Sequence, residues 1–69
     1  MRINIYFAGG GSLSLNAGQI SEPDLHELYL WSINKSGGEI KTIKYDMNGT
    51  AGQYIIYREN IAYINIQED

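Results

Sequence analysis

The sequence predicts a small α+β domain, with a mixed or antiparallel sheet of about five strands and one helix in the order ββαβββ. Three observations predict it. Residues 2–7 and 54–66 alternate with the two-residue period of strands. Ser21-Glu22-Pro23-Asp24 has the composition of a helix start. Glycine- and asparagine-containing stretches punctuate the chain between these segments. Residues 1–69 read as one domain, with no internal repeat, linker or low-complexity tail beyond Gln67-Glu68-Asp69.

In the first segment Ile3, Ile5 and Phe7 face in, while Arg2, Asn4 and Tyr6 face out. Gly9-Gly10-Gly11-Ser12 follows as a flexible loop, and Leu13 and Leu15 then alternate with Ser12, Ser14 and Asn16. The two runs make a β-hairpin. Ser21 can cap the next element, Pro23 is tolerated in the first turn of a helix, and Asp24 adds a favourable charge there. The helix is expected to run to about Ile33, with Leu25, Leu28, Tyr29, Ser32 and Ile33 on one face. Asp24 and Glu27 lie opposite, and Leu30 and Trp31 flank the stripe with less cover. Residues 28–33 also suit a strand by composition; the start signal favours the helix. Asn34-Lys35-Ser36-Gly37-Gly38 ends the element. A third strand spans residues 40–45, and residues 46–52 form a loop containing Asn48-Gly49.

The last segment is read as two short strands joined by Arg58-Glu59-Asn60, each apolar on both faces. Ile55 and Tyr57 point one way, and Tyr54 and Ile56 the other. Ala62, Ile64 and Ile66 point one way, and Ile61 and Tyr63 the other. A strand with one wet face should alternate apolar and polar. Either the sheet curls into a barrel or another molecule covers its second face.

Size sharpens this point. A domain near this length buries only about 60% of the surface its unfolded chain exposes. Small scaffolds add disulfides, a metal or oligomerisation. The chain has no cysteine and a single histidine, His26, which removes the first device and multi-histidine metal sites. Oligomerisation remains, so the first expected partner is a second copy.

Composition also bounds the function class. The net charge of −3 and the scattering of the five cations (Arg2, Lys35, Lys41, Lys44 and Arg58) argue against nucleic acid. No run approaches the ~18 apolar residues of a membrane span. The N-terminus leads directly into a strand-like segment, so the cytoplasm is the expected compartment.

Ser12, Ser14, Asp24 and His26 include the residue types of a hydrolase triad, but no nucleophile elbow surrounds them. Asp24, His26 and Glu27 do not converge on one helix face, as metal ligands would have to. No catalytic, metal or cofactor-binding residue is assigned, and the expected function is non-enzymatic. Gly9, Gly10, Gly11 and Ser12 form a candidate ligand loop, able to present backbone N–H groups to an anion but lacking the ending of a phosphate loop. Tyr6, Tyr54 and Tyr63 are candidates for an interface on the sheet face away from the helix, because tyrosine offers a large stiff contact with a polar tip. Leu30 and Trp31 are candidates for a subunit or partner contact on the helix.

Two stretches carry a resemblance. Tyr54 to Ile66, with its turn at Arg58-Glu59-Asn60, and the opening Ile3-Asn4-Ile5-Tyr6-Phe7 with its glycine turn and Leu13-Ser14-Leu15, resemble small phage-encoded accessory proteins of low-GC Gram-positive bacteria. The resemblance implies a viral protein that acts in the host cytoplasm by binding or inhibiting a host protein, or by capturing a small ligand. Sm-like barrels and the tryptophan-attenuation ring proteins share the β-rich, ring-forming outline, but their basic RNA-contacting residues have no counterpart here. The expected function is therefore protein binding by a homo-oligomer. The alternatives are an oligomeric small-molecule or nucleotide sponge and an RNA-binding ring.

Overall fold

A computed structural model describes residues 1–34 and 37–68. It contains β1 (Arg2–Phe7), β2 (Ser12–Asn16), α1 (Glu22–Ile33), β3 (Ile40–Met47), β4 (Thr50–Tyr57), a 3-10 turn at Arg58–Asn60, and β5 (Ile61–Gln67). The order is ββαβββ and the fold is α+β, as the alternation and the helix start predict. The strands divide between two antiparallel sheets: three strands in the order β2-β1-β5, and the β3–β4 hairpin.

Central β1 explains the first sheet. Ile3 pairs with Leu15 on one side and Ile66 on the other, and Ile5 with Leu13 and Ile64. Residues directly opposite in a ladder share a face, so these side chains form one apolar layer in which Ile3, Ile5 and Leu15 are fully buried. The helix start is built as the sequence predicts. Ser21 Oγ accepts from the Asp24 backbone N–H at 3.2 Å, and Pro23 lies in the first turn, where no intrahelical donor is needed. The helix ends at Ile33, as expected; of the residues expected to stop it, Lys35 and Ser36 lie outside the described residues, as does Asp69 of the tail. Among the described residues no helix is long and apolar enough to cross a membrane.

The buried face of α1 is not the expected one. Leu25, Leu28 and Trp31 enter the core, while Ile33 is 59% exposed. Apolar residues run around most of this helix, so two stripes were compatible with its sequence. The helix is turned toward the stripe that contains its largest apolar side chain. Trp31 brings the most area to bury, and its indole N–H donates to Gly38 O at 3.1 Å, so burial leaves no donor unpaired. The expectation that Trp31 is an exposed contact beside Leu30 is therefore corrected: Trp31 is 4% exposed.

Two further expectations change. The loop placed at residues 46–52 is a two-residue turn. β3 continues to Met47, β4 begins at Thr50, and these two pair directly. Asn48 (φ 53°) and Gly49 (φ 78°) both take positive φ, the requirement of a type I′ hairpin turn. In β5, the register against β1 shifts between Tyr6–Tyr63 and Phe7–Ile61, leaving Ala62 as a bulge. The extra residue reverses the alternation. Ile61, Ile64 and Ile66 all lie on the inner face, and Tyr63 and Asn65 on the outer one. β5 is thus not apolar on both faces, whereas β4 is: Ile56 is buried, and Ile55 and Tyr57 are exposed.

Candidate functional site

The 3-10 turn at Arg58–Asn60 carries the chain from one sheet to the other. The Arg58 N–H bonds Glu39 O and the Ala8 N–H bonds Asn60 O, each at 2.8 Å. The turn is thereby tied both to the start of β3 and to the β1–β2 loop. Arg58 also organises the end of α1. Its guanidinium carbon lies 4.2 Å from the centre of the Trp31 ring, and its Nε donates to Gly38 O at 2.9 Å. A cation over an indole face is attractive, so Arg58 covers the tryptophan that the helix buries. Gly37 closes the same side, where an added Cβ would come within 2.8 Å of Trp31 Cδ1.

Beside this assembly a groove of about 580 Å³ runs between the end of α1 and β5. Ile33 and Ser32 line it from the helix, Ile61, Ala62, Tyr63, Ile64 and Ile66 from the strand, and Glu39 and Arg58 at its rim. β5 is an edge strand, paired with β1 on one side only among the described residues.

The outer face of the three-stranded sheet is a different surface. Tyr6 and Tyr63 stack with ring centres 4.5 Å apart and planes 15° apart. Beside them the Ser14 hydroxyl donates to Asn4 Oδ1 at 2.7 Å, and Asn4 Nδ2 donates to Asn65 Oδ1 at 3.1 Å. Both contacts follow from the register, which sets Asn4 opposite Ser14 and Asn65. Among the described residues the outer face of the hairpin carries no such network. There Ile40 lies opposite Tyr57 and Thr42 opposite Ile55, and all four are exposed.

The structure brings some of the expected site residues together and separates others. Tyr6 and Tyr63 meet on the face away from the core. Tyr54 does not join them: it lies on the inner side of the hairpin against Tyr45, with ring centres 4.8 Å apart, and packs on the core. Leu30 is 45% exposed and separated from the groove beside β5, while Trp31 is buried. Gly9, Gly10 and Gly11 lie in the β1–β2 loop, closed by Gly10 N–H to Phe7 O at 3.0 Å, while Ser12 is the first residue of β2, opposite Tyr6; none of the four lines that groove. Ser14 is engaged with Asn4, and the His26 ring lies 6.3 Å from that of Tyr29, stacked along the helix. Among the described residues no three His, Cys, Asp or Glu side chains are grouped to hold a metal ion.

Sequence reasoning missed the groove. Its signal was present in the uncharged run Ile61–Gln67, but reading the groove needed the pairing partners of β5, which alternation alone does not supply. Compared with known proteins, the chain matches no family model, no curated protein and no solved structure.

Proposed function

We propose that this is a non-enzymatic binding protein that acts as a homo-oligomer and whose client is another protein. The observation that carries the reading is the outer face of the β3–β4 hairpin. Ile40, Ile55 and Tyr57 stand about half exposed on adjacent strands of a 69-residue chain. A contiguous apolar patch rimmed by polar residues is typical of protein-binding surfaces. Lys44, Gln53 and Asp46 continue the same face and supply a polar rim. The setting implied by the sequence resemblance, a phage accessory protein acting on a host protein, is compatible with such a surface.

The test is comparative. The protein and its Ile55→Lys variant are immobilised and exposed to the same bacterial lysate. Ile55 lies outside the core, so circular dichroism should be unchanged. The expected result is one protein retained at least tenfold more by the parent. Equal retention of the same set by both chains overturns the reading. Ultraviolet-absorbing small molecules released from both chains would favour the ligand sponge instead. Retained RNA whose affinity falls steeply with salt would favour the ring.

A further inference from the structure

We propose that the free edge of β5 pairs antiparallel with β5 of a second copy, about a two-fold axis passing at Asn65. The inference rests on the homo-oligomer reading above and gives it a place and a register. Exposed edges in natural proteins are usually blunted by lysine, proline or other inward charges. Ile61–Gln67, with the sequence IAYINIQ, carries no charge and no proline, and its one blunting device, the bulge at Ala62, lies outside the residues 63–67 that would pair. The groove of about 580 Å³ lies along this edge and offers a strand both open backbone and the apolar floor formed by Ile33 and Ile64.

Symmetry narrows the register. In an isologous pair of antiparallel strands the two-fold axis stands perpendicular to the sheet, so both inner faces lie on the same side. A centre at Asn65 sets Ile64 opposite Ile66 on the inner face and Tyr63 opposite Gln67 on the outer face, each twice. Every one of these pairs lies beyond the Ala62 bulge. A centre at Ile64 would instead set Ile66 against the bulge.

Charge supports a second copy as the occupant. The chain carries a net charge of −3, so two copies repel weakly overall. This edge is neutral, and the entering strand would carry its Glu68, just past Gln67, toward a rim where Arg58 and Glu39 stand side by side and offset one another, so that the pairing meets no net like charge. The product is a six-stranded sheet, β2-β1-β5 continued by β5-β1-β2 of the second copy.

The experiment uses two charge variants, Asn65→Lys and Asn65→Glu, alone and mixed one to one, with the parent as reference. Like charges directly opposite in a ladder repel. Native mass spectrometry and sedimentation at micromolar concentration should show a dimeric parent. Each variant alone should dissociate at least about tenfold more readily, and the mixture should recover a heterodimer of intermediate mass. A second measurement is independent of charge. The chain lacks cysteine, and opposite residues in an antiparallel pair stand at Cα separations of about 4.5–5.5 Å, within disulfide range. Asn65→Cys should therefore form a covalent dimer on mild oxidation, while Thr42→Cys on the hairpin should not. A parent that dimerises while all these variants behave like it overturns the β5 edge and leaves the homo-oligomer standing. A parent that is monomeric throughout overturns both. A monomeric parent that captures another protein, lost on Asn65→Lys, assigns the edge to a foreign strand and overturns self-pairing.

Discussion

The outer faces of the two sheets both meet solvent, yet they are built from different chemistry. On the three-stranded sheet the central outward positions are matched to their neighbours. Asn4 bonds Ser14 and Asn65, and Tyr6 stacks on Tyr63. On the β3–β4 hairpin the outward positions place large apolar groups side by side, with Ile40 across from Tyr57 and Ile55 across from Thr42. The centre of the first surface is thus satisfied by contacts within the chain. The second leaves apolar area that no other described residue covers. The inner faces differ too. β1 is paired on both sides and buries Ile3 and Ile5 completely, whereas the hairpin contributes only Ile43 and Ile56 to the buried core. A two-stranded hairpin is marginal alone in water, so this one depends on what its inner face packs against. The difference makes the first sheet the main source of the buried core, and the second the surface we propose for recognition.

The sharpest way to break this division is a pair of truncations. Ile5→Ala, in the fully buried layer of β1, should cost about 2–5 kcal/mol, a large part of the stability of a small domain. Ile55→Ala, on the outer face of the hairpin, should stay within about 0.5 kcal/mol. Chemical denaturation of both variants at one protein concentration measures the contrast. An Ile55→Ala loss as large as that of Ile5→Ala would show that the hairpin face is covered in solution, and would move it from recognition to stability.

How far the sequence reveals this division varies by element. The faces of β1 were legible because Arg2–Phe7 alternates strictly and its register against β2 is unbroken. The cap at Ser21 was legible because side-chain capping is a local interaction. The faces of β5 were not. One bulge at Ala62 inverts everything before it, and a bulge is fixed by how β1 meets β5 across more than fifty residues of chain. The burial of Trp31 was hidden for a similar reason. Its indole partner, Gly38 O, and its covering cation, Arg58, come from other parts of the chain. Tyr54 was misplaced because alternation orients a side chain relative to its own strand, not to a sheet whose membership is unknown. The candidate groove needed all of these placements at once.

A smaller effect probes whether the hairpin opens by itself. Gly49 sits at φ 78°, in the left-handed region, at the corner of the β3–β4 turn. Gly49→Ala should cost about 1–2 kcal/mol, the usual penalty of that conformation for an L-residue with a side chain. If the hairpin is a separate cooperative unit, hydrogen exchange of β3 and β4 amides should accelerate more than that of β1 amides. Equal acceleration in both sheets would mean that they unfold together, and that the contrast between them concerns their surfaces alone.

The smallest effect tests whether the outer faces differ as pairs. Tyr6 and Tyr63 lie directly opposite and stack, although Tyr63 is 60% exposed. Their coupling in a double-mutant cycle, with Tyr6→Ala, Tyr63→Ala and both together, should be about 0.5–1.5 kcal/mol beyond simple burial. The matching cycle on the hairpin, Ile40→Ala with Tyr57→Ala, also removes an opposed pair, but one with no ring-on-ring contact. Cross-strand pairs of that kind give about 0.2–1 kcal/mol. The tyrosine coupling should therefore be the larger when all variants are melted at one concentration. If the Ile40–Tyr57 coupling were larger, these two side chains would already satisfy each other, and the hairpin face would have less apolar area to offer a partner. A tyrosine coupling near zero would mean that the stack is incidental to the sheet. The polar network of Asn4, Ser14 and Asn65 would then be what finishes that face.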